Sequence, residues 1–407
     1  MSATVRAGIA AFAAALALTP VAMLAARRLG IVDRPDERKR HSGAVPLLGG
    51  AAVLAAVVAG FAAGGVLALT EFRMVLGAAG AVFLIGVMDD VWKAPVWLRL
   101  LVEAAAAAAV VAWGIRATFL VENIWITAPV TVLWIVAMTN AFNFLDNMDG
   151  LSPGTAAIAA GVFVLVCVQT GQGPQGVALA AVGAAALGFL PYNFRPARVF
   201  LGDGGALLLG FLLGTMSVAM TFYQYDDRST PLPLAAPVLV LAIPMFDMAS
   251  VLWIRLRAGR PLTRADRNHF SHRLVALGMS ERTAVFTIWL AAAAIGLGAK
   301  EVKIEYSTDG NDFTVLGTTH EFARAPGAGG YACNTIVDLG GLAAKYVKLT
   351  INSYWGNILK QYALSEVRFY SVPVYAREPD PTPGVTNVDV DATLSWRAGR
   401  ESAKHVL

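Results

Sequence analysis

The chain has 407 residues, of which 57% are hydrophobic and 15% charged, with a mean hydropathy of +0.59 and a formal net charge of +4. Soluble domains carry about 25% charged residues, so a wholly water-soluble protein is excluded. The basic residues gather in loops between apolar runs, which argues for membrane topology and against nucleic-acid binding, and the two cysteines, Cys167 and Cys333, fit no metal-ligand spacing.

The first apolar run, residues 7–26, is longer than the core of a secretory signal and is followed directly by Arg27 and Arg28, so it reads as a first membrane span. Crossing a bilayer takes about 20 apolar residues in a helix, a criterion that yields about ten spans. They are 5–26, 46–68, 72–88, 99–119, 127–143, 152–170, 175–191, 205–222, 232–254 and 283–299. The expected fold is therefore an all-α polytopic membrane protein. Loops 27–45 and 255–282 carry six and seven Lys or Arg residues, while the loops on the alternate side are poor in them. The positive-inside rule places the basic loops in the cytoplasm. An even number of spans then puts the N-terminus and the C-terminal tail outside.

Polar clusters punctuate these spans, all at the end assigned to the cytoplasm. After the first span come Asp33, Pro35, Arg38, Lys39 and His41, then Pro46, Gly49 and Gly50; topology alone explains about half of these. The third span ends in Asp89 and Asp90, adjacent carboxylates that call for a cation or a shared proton. The fifth ends in Asn143, Asp146, Asn147 and Asp149, where amides can read a uracil or sugar edge and carboxylates can hold a hard cation. Asp203 lies among glycines before the eighth span, where backbone N–H groups can approach a phosphate. Asp247 lies within the ninth span, an acid at membrane depth that needs a partner. Beyond it, His269 and His272 stand beside Arg267 and Arg273, donors suited to a diphosphate. A zinc site there lacks further soft ligands.

Past residue 300 the pattern changes. Glu301–Tyr306, Tyr346–Ile351 and Ser365–Tyr370 alternate polar and apolar residues as half-buried strands do, and Asp309-Gly310 signals a turn. The segment Pro379–Pro383 reads as a linker, and Val388–Leu407 as the truncated start of a further β module. The expected divisions are 1–299, 300–375 and 376–407.

Over residues 5–299 these motifs, in their order, resemble the polyprenyl-phosphate N-acetylhexosamine-1-phosphate transferases of glycosyltransferase family 4. The motifs are Asp33-x-Pro35-x-x-Arg38-Lys39-x-His41, Asp89-Asp90, Asn143-x-x-Asp146-x-x-Asp149, Phe200-x-x-Asp203 and His269-x-x-His272. Arg38, Lys39 and His41 with Pro46, Gly49 and Gly50, and Pro244 with Asp247, are similar to the branch that primes cell-envelope polysaccharides with an N-acetylhexosamine phosphate. The signatures of the competing branch, which transfers phospho-N-acetylmuramoyl-pentapeptide, are absent. Three positions depart from the pattern: Ser271 stands where a further histidine is common, Gly204 and Ala206 where hydroxyls are, and Arg99 where lysine is usual.

The resemblance implies a Mg²⁺-dependent transfer, with Mn²⁺ as a substitute, from a UDP-sugar to a polyprenyl phosphate at the inner face of a bacterial plasma membrane. Asp203, Asp89 and Asp90 are the implied metal ligands. Asp89 or Asp90 serves as the base, or an aspartate attacks first to form a covalent intermediate; both schemes stand. His269 and His272 neutralise charge on the leaving phosphate. Lys39, His41, Asn143, Asp146, Asn147, Asp149, Arg267 and Arg273 bind substrate. A homodimer is left open. The tail, residues 301–371, is similar to half of a discoidin β-sandwich. A transporter and a membrane-anchored glycan-binding protein are the rival readings from other classes.

Overall fold

The computed structural model describes residues 1–33, 43–117, 123–220, 236–261 and 268–294, and parts of the tail (301–309, 311–317, 320–321, 337, 346–351, 377–380 and 395–397). The chain divides into two compact units, Met1–Gly296 and Leu297–Leu407.

The first unit is a helical bundle. Its long helices are α1 (Ala3–Leu29), α3 (Thr70–Trp92), α5 (Ile124–Leu145), α6 (Leu151–Thr170), α7 (Gly173–Asn193) and α8 (Gly202–Ala219). These six are long and apolar enough to cross a membrane. Four shorter helices stand at the other expected spans: α2 (Gly49–Gly64), α4 (Val96–Ala112), α10 (Ala242–Arg257) and α12 (Glu281–Ala294). The ninth expected span is not continuous. A short α9 (Ala236–Val240) ends at Leu241 before α10 begins; Pro244, three residues on, has no N–H to give the Val240 carbonyl. α11 (Phe270–Ala276) follows, and a two-residue ribbon, β1 (Val32–Asp33) with β2 (Val45–Pro46), links α1 to α2.

Burial divides the helices into a centre and a rim. In α8, 83% of the membrane window is buried, against 22% in α1. α1 buries only one small-residue stripe, Ala7, Ala11, Ala15, Thr19 and Ala26, and turns Ile9, Phe12, Leu16 and Leu24 outward. Small residues let membrane helices approach closely where the hydrophobic effect supplies no attraction between them. The glycines of α8 do this at the centre: Gly204 meets α3 at Phe83 and Val87, Gly205 meets Gly50 of α2, and Gly210 meets Met138 and Thr139 of α5. The chain entering α8 is pinned as well, since the Gly49 and Gly50 N–H groups donate to the Phe200 and Leu201 carbonyls at 3.1 and 2.9 Å.

Exposed tryptophans flank the bundle at both ends. Trp92, Trp97 and Trp253 lie on the ends of α3, α4 and α10, and Trp113 and Trp125 lie at the far ends of α4 and α5. Such belts mark the two membrane–water boundaries.

In the second unit, β3 (Glu301–Ser307) pairs antiparallel with β6 (Tyr346–Ile351) on one side and with β4 (Thr314–Val315) and β5 (His320–Glu321) on the other. β3 and β6 lie where alternation predicted strands. Asp309 closes a turn by accepting the N–H groups of Asn311 (2.9 Å) and Asp312 (3.1 Å), bonds that lower its pKa. Pro379, expected in a linker, instead lies in β7 (Arg377–Asp380), which pairs with β8 (Ser395–Arg397). The expected strand 365–370 lies outside the described residues.

Candidate active site

Segments distant in sequence bring their polar groups together at one end of the bundle. The last turn of α3 carries Asp89 and Asp90, the first turn of α4 carries Arg99, the end of α5 carries Asn143 with Asp146 just beyond it, and the first turn of α8 carries Asp203.

The adjacent acids have different partners. The Asp90 carboxylate accepts the backbone N–H groups of Asp203 and Gly204 at 3.1 and 3.3 Å. α8 has no side-chain N-cap from its own chain neighbours, so Asp90 supplies one from α3, at the positive end of the helix dipole. Asp89 instead receives Arg99 Nη1 at 2.8 Å, and its carboxyl meets that of Asp203. Asp203 also accepts Asn143 Nδ2–H at 2.8 Å. Burial, together with the facing charges of Asp203, Asp90 and Asp149, pushes the pKa of Asp146 well above the ordinary carboxylate range.

Carboxyls this close repel unless a proton or a cation lies among them. Their all-oxygen character suits Mg²⁺, which binds through one or two carboxylates and keeps its other positions for phosphate and water. Among the described residues, no three His, Cys, Asp or Glu side chains form a ready-made metal cage. Asp90 is engaged by backbone, so the acids of this cluster that could meet such a cation are Asp203, Asp89 and Asp146.

A second cluster adjoins the first. Asp247, buried in α10, holds His269 Nδ1 at 2.8 Å and accepts the Phe270 N–H at 2.6 Å. The His272 ring lies 6.2 Å from that of His269. Arg273 turns toward α10, donating to Ser250 Oγ at 3.1 Å and lying over Phe246 and Phe270. Asp247→Asn keeps the shape but removes the charge that sets the His269 ring. A charge-assisted hydrogen bond is worth about 1.5–3 kcal/mol, so any activity that depends on His269 is expected to fall roughly 10- to 100-fold, with the melting temperature lowered by a few degrees. Unchanged activity in D247N would detach His269 from the chemistry of the site.

The segment 143–149 ties the clusters together. Asn143 bonds Asp203, Phe144 lies between the His269 ring (5.9 Å) and the Arg255 guanidinium (5.2 Å), and Asn147 accepts the Ser271 hydroxyl. Ser271 thus anchors α11 to the end of α5. Asp149 accepts the Ala197 N–H at 3.1 Å, and the Gly150 N–H donates to Asn193 Oδ1 at 2.9 Å. Asn147 and Asp149, expected to touch substrate, each also brace backbone, Asn147 by donating Nδ2–H to the Phe144 carbonyl at 2.7 Å and Asp149 by accepting the Ala197 N–H. Lys39, His41 and Arg267 lie outside the described residues.

Sequence reasoning passed over Glu103 and Asn140, which stand behind Arg99; an acid inside an apolar run was the signal for Glu103. A cavity of about 210 Å³ opens at the other end of the bundle, among Glu71, Phe72, Arg116, Gln175 and Met220, and shares no residue with the acids.

The profile of glycosyl transferase family 4 matches residues 72–221, the stretch from α3 through α8. A probable undecaprenyl-phosphate N-acetylglucosaminyl 1-phosphate transferase of Bacillus subtilis is 33% identical over 298 residues, covering 71% of this chain and 82% of its own length. A decaprenyl-phosphate N-acetylglucosaminephosphotransferase of Mycobacterium tuberculosis is 32% identical over 313 residues, 69% of this chain and 77% of its own. An undecaprenyl-phosphate alpha-N-acetylglucosaminyl 1-phosphate transferase of Escherichia coli is 29% identical over 297 residues, 69% and 78%. These comparisons lend no support to the discoidin likeness of the tail.

Proposed function

The chain belongs to glycosyl transferase family 4, and from that premise we propose that it transfers N-acetylglucosamine-1-phosphate from UDP-N-acetylglucosamine to a polyprenyl phosphate, releasing UMP, at the cytoplasmic face of a bacterial plasma membrane. The sugar and lipid classes follow the names of its relatives; the muramoyl-pentapeptide branch is not favoured. The observation that carries the reading is the meeting of Asp89, Asp203 and Asn143, from three helices, at a tryptophan-marked membrane boundary. There, a water-soluble donor and a bilayer-held acceptor can reach the same groups.

Joining a diphosphate to a phosphate brings like charges together. A divalent cation held by Asp203, beside Asp89, would offset that charge and polarise the diphosphate when bound. Asp90 holds the N-terminus of α8, so that Asp203 is presented at a fixed place. Asp89 is the residue we assign to take the proton of the lipid phosphate, whose oxygen attacks the donor's β-phosphorus as the bond to UMP breaks. His269, oriented by Asp247, and His272 face the leaving phosphate, a place where fixed donors stabilise developing charge. Asn143 and Asp146 position the donor.

The test is a membrane assay with radiolabelled UDP-N-acetylglucosamine and undecaprenyl phosphate. A lipid-linked product with stoichiometric UMP is expected, lost with EDTA and restored by Mg²⁺ or Mn²⁺. Full activity in EDTA would remove the cation; no lipid product from any UDP-sugar would remove the reaction.

A further inference from the structure

Behind Arg99 lies a carboxylate that the reaction as described leaves unused. Glu103 is fully buried in α4, in a run of alanines where a charged group is costly unless it is paired. Its Oε2 accepts Asn140 Nδ2–H, and the same nitrogen also donates to the Val136 carbonyl at 2.9 Å. Its Oε1 faces Arg99 Nε across 3.6 Å, and neither of those two atoms has a hydrogen-bond partner among the described residues. Arg99 therefore stands between two acids, and it reaches the other, Asp89, through Nη1 alone.

An arginine facing a single carboxylate commonly closes on it with two parallel bonds. Here the guanidinium lies toward Glu103 on its Nε side, and its contact with Asp89 is made by Nη1 alone. We propose that Glu103 is a positioning residue that holds Arg99 back from a two-pronged grip on Asp89, leaving an Asp89 oxygen for Asp203 and for the reaction. Asn140 holds Glu103 in turn, so the order Asn140, Glu103, Arg99, Asp89 runs from the core of the bundle to its acids. The proposal rests on the transferase reading of the site. It also gives a reason for arginine at position 99: the ammonium of a lysine is a point charge with no second edge to be shared.

The test compares purified wild type, Glu103→Gln, Glu103→Asp, Arg99→Lys and the double variant E103Q/R99K. Glutamine is isosteric and keeps a partner for Asn140. E103Q is expected to lower kcat about tenfold with KM for UDP-N-acetylglucosamine nearly unchanged, E103D to recover much of that loss, and E103Q to add nothing in the R99K background, the signature of two residues acting through one contact. Multiplying effects, or wild-type kcat in E103Q, would overturn the proposal. A structure of E103Q by electron cryomicroscopy provides the second reading: two bonds from Arg99 to Asp89 are expected, and an unchanged single contact overturns the proposal. If the wild type transfers no sugar phosphate, the functional reading falls, while that structure still decides the role of Glu103.

Discussion

Asp203→Asn is expected to reduce transfer by about 10³-fold or more, the scale seen when one member of an interdependent catalytic set is removed, while the protein still folds. Asp203 is the point where the site converges: it accepts Asn143 Nδ2–H at 2.8 Å, meets the Asp89 carboxyl, and opens the helix whose N-terminus Asp90 caps. The substitution changes charge and almost nothing else. The Asp90 cap bonds the backbone N–H of residue 203, which asparagine keeps, so α8 stays anchored. What disappears is the carboxylate that we assign to hold the cation, beside Asp89. The measurement is kcat for lipid-linked product in purified protein, alongside a thermal melt in detergent. Activity within tenfold of wild type would displace Asp203 from the centre of the mechanism. It would also revive the reading of the bundle as a transporter or a membrane anchor.

The second large effect is expected from a residue with no side chain. Gly86 lies on α3 one turn before the acids, where α3 and α8 are in backbone contact. A Cβ there would lie 2.5 Å from Gly204 Cα, 2.6 Å from its nitrogen and 2.8 Å from the Asp203 carbonyl carbon. These are backbone atoms that cannot rotate aside, so Gly86→Ala must push the helices apart where Asp90 reaches across to α8. Overpacking of this kind costs about 1–3 kcal/mol, and a misplacement of about 1 Å in a reacting constellation costs about 10²-fold in rate. G86A is therefore expected to lose about 10²-fold in kcat and to melt at a lower temperature. The control is Gly80→Ala on the same helix, where nothing lies within 4 Å of the added methyl; there the better helix propensity of alanine leaves stability equal or slightly higher. Equal behaviour of the two variants would show that the α3–α8 contact does not set the site.

The outline of the bundle was legible in the sequence because the bilayer imposes a one-dimensional rule. A helix crossing it must be apolar for about 20 residues, and runs of that length are visible without any knowledge of neighbours. Acids at the ends of such runs were visible for the same reason, since membrane depth makes them expensive. Asp89, Asn143, Asp203, Asp247 and His269 were all named from their positions, and two of the tail strands from alternation.

The division of labour among those residues was not legible. Nothing in the adjacent pair Asp89-Asp90 tells that one caps α8 while the other faces Arg99, because the partners arrive from residues 203–204 and 99. Asp247 was known to need a partner, but its identity, His269, required α10 and α11 to be folded together. The break at Leu241 was hidden inside an apolar run that looked continuous. Sequence alone thus located the apolar helices and the polar groups at their ends, since solvation acts on each residue singly. Which carboxyl bonds backbone, which meets Asp203 and which restrains an arginine was decided only by the tertiary structure, because hydrogen bonds and charge pairs depend on distances between helices that the order of residues does not encode.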